Sequence, residues 1–475
     1  MGEKVWIMDQ IKKLFKVPSE PMTRKRFFEL EIARWKTSHT RRLQIDGERY
    51  YKGKQDILAR KRMVIGAGGE LEEVHNLPNN RVVDNQYAKA VDQKANYILS
   101  KPLTFESGNK AFDDELKRIF DRKFLNRMKN VAVDSLCGGI AWLYVYYNEN
   151  GKLKFQKFKP YEILPFWKDG EHTELDCVVR VYPVEIYKGD VLDIIEKVEI
   201  FTKDGIERYD LINNRLVEDK EKPTDAYMYL NGKGFNWDRL PIIPFKYNAF
   251  EIPLIKRVKG LQDALNEMQS DLLNNMQEDN RNTILVIKNY EGTNLAEFRK
   301  NLSTYGAVKV KTIDGADGGV EALNVEVNAA NYDLVLKTLK RAIIENAMAF
   351  DAKDDRLGQN SNQMNLRSMY SDIDLDADNM EAEYQSSFED LIYFAKVSLN
   401  NKYDDPVKVT FNRDIIVNET EVLHSLVELG IQLPNELLVS QVPFVDDVAK
   451  VMAMLKKEQD EYQSAYPNNG DVNAK

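Results

Sequence analysis

The strongest constraint on the fold lies in the second half of the chain, where two long helical stretches each carry one narrow apolar row. Residues 253–280 place Val258, Leu261, Leu265, Met268 and Leu272 at alternating steps of three and four. That spacing gathers side chains on one helix face. Proline at the start suits a first turn, whose N–H groups have no partner in the helix. At about 1.5 Å per residue the helix spans roughly 40 Å. Residues 328–350 repeat the pattern with Tyr332, Leu336, Leu339, Ile343 and Ala347. Between them, residues 282–327 predict a strand (283–288), a short helix (294–302) and two strands (307–313 and 320–327). The outcome is a two-helix stalk with a small α/β head. One row per helix cannot bury the pair in a globule, so the rows are expected to face each other and neighbouring subunits.

A polar stretch follows at 351–363, rich in Asp, Asn, Gln and Ser, with cations at Lys353 and Arg356. Residues 364–401 then predict one helix of roughly 55 Å. Its apolar row is Leu366, Met369, Ile373, Met380, Tyr384, Phe388, Leu391 and Ala395. From 368 to 395 the helix holds eight acidic residues and no Lys or Arg. A lone helix gains nothing from such repulsion. The acids form either a solvated face or a wall that repels a polyanion. Asp372, Asp374 and Asp376 also match positions 1, 3 and 5 of a calcium loop, with Glu383 at position 12. Ala377 stands where the sharp turn of that loop needs glycine, so calcium binding is not expected. A strand is expected at 407–411 and two or three short helices over 418–466, the first opened by a capping box at 418–421. Residues 466–475 are expected to be disordered.

The N-terminal region is basic. Residues 23–62 hold 13 Lys/Arg against 5 Asp/Glu, a local net of +8. This is either a solvated helix face or a patch for nucleic acid or an acidic partner. Helices are expected at 27–36, at 83–99 (ended by Ser100-Lys-Pro102) and within 110–134. From 142 to 247 the texture becomes β-branched and aromatic. Runs at 142–147, 178–182, 197–202 and 227–230 are separated by Asn150-Gly151, Asp169-Gly170, Asp204-Gly205 and Asn231-Gly232. They predict a meander of antiparallel strands. The fold class is α+β, mainly helical. The length of 475 residues suggests about three domains.

Enzyme signatures are missing. His39, His75, His172 and His424 stand singly, away from metal-ligand spacing. There is no P-loop and no G-x-S-x-G elbow. Cys137 and Cys177 sit in apolar runs and are expected in the core. Two cysteines cannot build a disulfide framework, which points to a reducing cytosol. No apolar run approaches a membrane helix, and residues 1–13 lack a signal-peptide core. No cofactor, metal or membrane is expected. The net charge of −9 argues against a protein built to grip a nucleic-acid backbone.

Specific stretches nonetheless resemble a known family. Tyr50-Tyr-Lys-Gly-Lys-Gln-Asp-Ile57 is similar to the YYxGxxDI opening of tailed-bacteriophage portal proteins of the siphophage type. Asn80-Arg-Val-Val-Asp-Asn85 and Ala90-Val-Asp-Gln-Lys-Ala-Asn-Tyr-Ile-Leu-Ser-Lys-Pro102 resemble the next signature, with Ser100 where the family usually has Gly. Leu136-Cys-Gly-Gly-Ile-Ala-Trp-Leu143, Trp237-Asp-Arg-Leu-Pro-Ile-Ile-Pro244 and the Leu433–Asp447 stretch continue the likeness in order.

The resemblance implies a non-enzymatic ring, of twelve subunits, at one capsid vertex. Through it double-stranded DNA is packaged and ejected. By order and pattern it implies a wing (1–252), two stem helices (253–281 and 328–350) and a clip between them (282–327). A tunnel loop (351–363), a long tunnel helix (364–401), a return strand (402–417) and a crown (418–475) follow. The DNA channel would be lined by Lys353, Asp354, Asp355, Arg356, Gln359, Asn360 and Asn362 of the loop. Asp372, Asp374, Asp376 and Asp378 of the helix would line it too. The large terminase subunit and head-completion proteins would dock on the clip at Lys288, Asn289, Tyr290, Glu291, Arg299, Lys300, Lys309, Lys311 and Asp314. Scaffold or major capsid protein would be a further partner. The implied location is the virion, with assembly in the host cytoplasm. Acidic walls suit a conduit, because a basic channel would hold DNA through counterion release. Two other readings stay open. One is a metal-dependent nucleic-acid-processing enzyme using the acids of 372–383. The other is a cytosolic scaffold that binds a protein through 282–327.

Overall fold

The basic N-terminal stretch folds into two helices, α1 (Arg24–Lys36) and α2 (His39–Tyr51). Thr23 and Ser38 cap them by accepting the N–H groups of Arg26 and Arg41. The structure is a computed structural model that describes residues 22–65, 69–75, 77–221, 224–230, 233–279, 284–288, 319–323, 329–351, 363–413, 434, 438–439 and 448–465. A short hairpin, β1 (Met63–Ile65) and β2 (Leu71–Glu73), precedes α3 (Gln86–Ile98). Helix α3 starts at 86 rather than 83 because Asn85 is its cap, accepting from the N–H of Ala88. Strand β3 (Thr104–Glu106), α4 (Lys110–Ile119) and α5 (Arg122–Gly138) follow, with Asn109 and Asp121 as caps.

The expected meander divides into two main antiparallel sheets. Strands β4 (Ile140–Tyr147) and β5 (Leu153–Phe158) join the later β13 (Ile242–Lys246) in the order β13-β4-β5. Strands β6 (Ile163–Trp167), β7 (Leu175–Lys188), β8 (Val191–Thr202), β9 (Gly205–Ile212) and β10 (Arg215–Glu218) form a sheet of five in reverse chain order. A hairpin of β11 (Met228–Leu230) and β12 (Lys233–Phe235) stands apart. The division follows from side-chain alternation. Val179, Val181, Val198 and Ile200 point to one face and pack under Phe28, Ile32 and Trp35 of α1. Val178 and Phe201 point to the other and meet Ile140, Trp142 and Phe158. Strand β4 is apolar throughout because both its faces are buried. Ala141, Leu143 and Val145 enter the main core, and Ile140 and Trp142 enter the space between the sheets.

Helix α6 (Ile255–Asp279) leads to β14 (Ile284–Lys288), which pairs antiparallel with β15 (Gly319–Leu323). Helix α7 (Ala329–Asn346) returns beside α6, and α8 (Gln363–Ser398) runs as one long helix. Its row Met380, Tyr384, Phe388, Leu391 and Ala395 lies in the main core with α3, α5 and β13. Strand β16 (Lys408–Thr410) then pairs with β3, setting Val409 opposite Phe105. Helix α9 (Val448–Ala465) is the last described element. The expected helix 294–302, strand 307–313, the capping box and residues 466–475 lie outside the described residues. Both cysteines are buried, and burial pushes the Cys137 thiol up to about 12.

Glu48 ties α2 to the segment just after β5. Its carboxylate accepts from Lys159 and, at 2.8 Å, from Lys52. Burial alone would raise its pKa, but these partners hold it at about 2, below the ordinary glutamate value of 4.5. A carboxyl depressed on folding stabilises the fold in full above its unfolded value, and the gain is lost as pH falls through the folded value. Acid unfolding is therefore expected to steepen between pH 4.5 and about 2. Glu48→Gln should flatten that window in a pH-resolved denaturation series.

Candidate functional site

The acids of α8 do not form a bare wall. Asp376 is buried, and its carboxylate accepts from Lys94 Nζ of α3 at 2.7 Å and from the Tyr247 hydroxyl at 2.9 Å. Arg257 of α6 lies 3.6 Å away. Lys94, equally buried, also donates to the Met348 carbonyl at 2.9 Å, just past the end of α7. Burial lowers the Lys94 pKa, and Asp376 opposes that shift. The placement of Asp376 on a channel surface is thus corrected: its side chain points into the protomer. One turn away, Arg413 gathers three carboxylates. It donates to Asp374 at 2.8 Å, to Asp378 at 2.6 Å and to Glu381. These partners raise its pKa against the effect of burial. Asp374 also accepts from the Tyr97 hydroxyl at 3.0 Å. Asp390 pairs with Arg239 at 2.9 Å. Asp372 and Glu389 stay exposed on the helix. The cations come from 94, 239, 257 and 413, so no local count could show that the row is compensated.

The stem-like pair α6–α7 packs through its apolar rows at one end, where Val258, Leu265, Ile343 and Ala347 join the main core. Farther along, the Asn275 amide donates to the Tyr332 hydroxyl at 2.9 Å. The more informative face of α6 is polar. Gln262, Asn266, Ser270 and Asn274 recur every fourth residue and are fully buried. A segment running from Asn80 into the first turn of α3 at Tyr87 lies on them. Asn274 accepts the N–H of Asn80 at 2.7 Å, Ser270 that of Val82 at 3.0 Å, Asn266 that of Asp84 at 3.0 Å and Gln262 that of Tyr87 at 3.0 Å. The Gln262 amide returns a bond to the Asp84 carbonyl at 2.7 Å. This row carries a sequence signal, four amide or hydroxyl residues at helical spacing, beside the apolar row that drew attention to the helix.

Of the other candidates, Lys288 closes β14 opposite Gly319. Asn289, Tyr290, Glu291, Arg299, Lys300, Lys309, Lys311 and Asp314 lie outside the described residues. So do Lys353, Asp354, Asp355, Arg356, Gln359, Asn360 and Asn362. The basic stretch 23–62 is largely compensated within the protomer. Arg24 meets Glu207 and Lys36 meets Glu196, both at 2.5 Å, while Arg60 meets Asp271 at 2.5 Å. Arg49 bonds Asp46 and Asp56, both at 2.7 Å, and Arg41 stacks on Trp35 with 4.7 Å to the ring centre. The solvated, internally paired reading fits these contacts better than a nucleic-acid patch. Among the described residues no group of three His, Cys, Asp or Glu could hold a metal ion, and no helix is long and apolar enough to cross a membrane.

Comparison with known proteins adds an independent line. The family described as "Phage portal protein, SPP1 Gp6-like" matches residues 32–465. The portal protein of Bacillus phage SPP1 is 26% identical over 435 residues, covering 89% of this chain and 85% of that protein. The portal protein of Clostridium phage phiCD119 is 25% identical over 434 residues, covering 87% of this chain and 92% of that protein.

Proposed function

The chain belongs to the SPP1 Gp6-like family of phage portal proteins, and on that premise we propose how its parts serve the portal. It is a structural portal protein for phage DNA packaging, the head-to-tail connector of a capsid. The finer reading is a ring of twelve copies. In it α6 and α7 are the stem, residues 282–327 the clip, residues 351–363 the tunnel loop, and α8 the helix behind that loop. Double-stranded DNA passes through the centre, the large terminase subunit and later the head-completion proteins dock on the clip, and scaffold or major capsid protein meets the wing. No step of this work is catalytic. Four of the carboxylates that a metal-dependent nuclease would use, Asp374, Asp376, Asp378 and Glu381, are engaged by Lys94 or Arg413.

The observation that carries the ring is the outer face of the stem. Leu273 and Met276 of α6 are 40% and 59% exposed, and Leu334 and Val335 of α7 are 65% and 39% exposed. Apolar side chains left outward along two adjacent helices suit head-to-tail contacts between rotationally related copies. Negative-stain microscopy of the purified protein is expected to show particles with a central hole. Their mass should be about 660 kDa for twelve copies of 55.0 kDa. A stable monomer at micromolar concentration would overturn the ring.

Two further outcomes test the division of labour. Lys353→Glu with Arg356→Glu should leave rings intact and impair packaging, since cations on the loop would touch phosphates in passing. Unchanged packaging would make those cations incidental. Deleting 282–327 should spare the wing and abolish terminase docking; retained docking would move the docking site elsewhere.

A further inference from the structure

Residues 80–87 form a strap held to the stem by its backbone and by the side chains of Asn80 and Asp84. Along an extended chain, alternate N–H groups recur every 6.6 Å or so, and along a helix every fourth residue recurs every 6.0 Å or so. The two repeats match closely enough for Asn80, Val82 and Asp84 to meet Asn274, Ser270 and Asn266 in turn. Apolar contacts tolerate sliding, whereas a row of buried amides is satisfied in one register.

Asp84 is the most heavily engaged residue of the strap. Its N–H and carbonyl bond Asn266 and Gln262. Its carboxylate accepts from Gln269 of α6 at 2.6 Å and from Lys340 of α7 at 2.8 Å. Burial would raise its pKa, and Lys340 instead brings it down. Lys340 ties α7 to another element, whereas Lys337–Asp333 and Arg341–Glu345 stay within the helix. The next residue, Asn85, caps α3 and donates to the Tyr50 carbonyl at 2.8 Å. At the other end of the same helix, Lys94 grips Asp376 of α8 and the carbonyl past α7. Helix α3 is thus a strut between the stem and the long helix.

We infer that Asp84 is a positioning residue of the portal: through Lys340 and the α6 amides it fixes the angle between the two stem helices and transmits it along α3 to α8. This rests on the portal reading above. The claim is distinct from ring formation, because the strap lies within one protomer.

The test uses full-length rings carrying Lys340→Met, Lys340→Arg, Asp84→Asn or Ser270→Ala. Lys340 is 42% exposed, so its variants should fold. Rings should form in all four. Packaging into capsids should fall about tenfold in Lys340→Met and Asp84→Asn, the size expected for loss of one coupling contact, and return in Lys340→Arg. Hydrogen exchange should show slow amides at Asn80, Val82, Asp84 and Tyr87. Ser270→Ala should speed Val82 alone, by roughly tenfold for one lost hydrogen bond. Normal packaging in both Lys340→Met and Asp84→Asn overturns the inference. So does a defect confined to Lys340→Met, which would place that lysine against DNA instead of Asp84. An unchanged Val82 rate in Ser270→Ala overturns the strap geometry. If the unaltered protein forms no ring, the portal reading fails, and the exchange pattern still decides the strap.

Discussion

Lys94→Met is expected to lower stability by about 3–5 kcal/mol, because it strands a buried carboxylate. Asp376 would keep the Tyr247 hydroxyl at 2.9 Å and Arg257 at 3.6 Å. Arg257 is more than a third exposed, so its help is screened. The Met348 carbonyl would also lose its donor. Asp376→Leu alone should be comparably harmful, since it leaves a buried ammonium. The double variant should recover much of the loss. A residue of about 1–2 kcal/mol should persist for the unpaired Tyr247 hydroxyl and Met348 carbonyl. Chemical denaturation at one protein concentration reads these values, because association shifts apparent stability. A single-variant cost below about 1 kcal/mol would mean that water reaches the pair. The functional consequence is local. The pair joins α3, α8 and the end of α7 on both flanks of residues 352–362, so its loss should loosen the frame that presents them.

Gly139→Ala should prevent accumulation of folded protein. Gly139 links α5 to β4 at φ +79°, in the left-handed region, and an added Cβ would lie 2.0 Å from the Glu251 carbonyl oxygen. That oxygen belongs to backbone and cannot swing aside. The same close approach sets the Tyr247 N–H on the Gly139 carbonyl and the Leu254 N–H on the Leu136 carbonyl, just before α6. Gly53 provides the comparison. It has φ +74° with nothing within 4 Å of an added Cβ. Gly53→Ala should therefore cost only the left-handed strain, about 1–2 kcal/mol. Soluble yield and melting temperature of the two variants separate strain from collision. Equal behaviour would show that the Glu251 loop yields.

Much of the architecture was legible because it is local. The apolar rows on α6, α7 and α8 follow from spacing alone, and Met380, Tyr384, Phe388 and Leu391 are buried as that spacing requires. Turn residues marked the ends of β4, β6 and β8. What stayed open was charge. The eight acids were open to a solvated face or a repelling wall, and the cations to a solvated helix face or a patch. Their partners lie far off in the chain: Lys94 is 282 residues from Asp376, and Lys36 is 160 from Glu196. Burial of Gln262, Asn266, Ser270 and Asn274 was equally hidden, since amides at helical spacing ordinarily face water.

The sequence by itself determined the long helices α6, α7 and α8 with their apolar faces, the strand alternation, and the ordered motifs shared with portal proteins. These depend on neighbours three or four residues away, or two in a strand, which the chain states directly. The tertiary structure alone decided which charges are compensated, which polar row is buried, and that α3 joins α6 and α7 to α8. Those outcomes depend on groups brought together across hundreds of residues. There, desolvation makes each carboxylate and amide need a specific partner, whatever its neighbours in sequence.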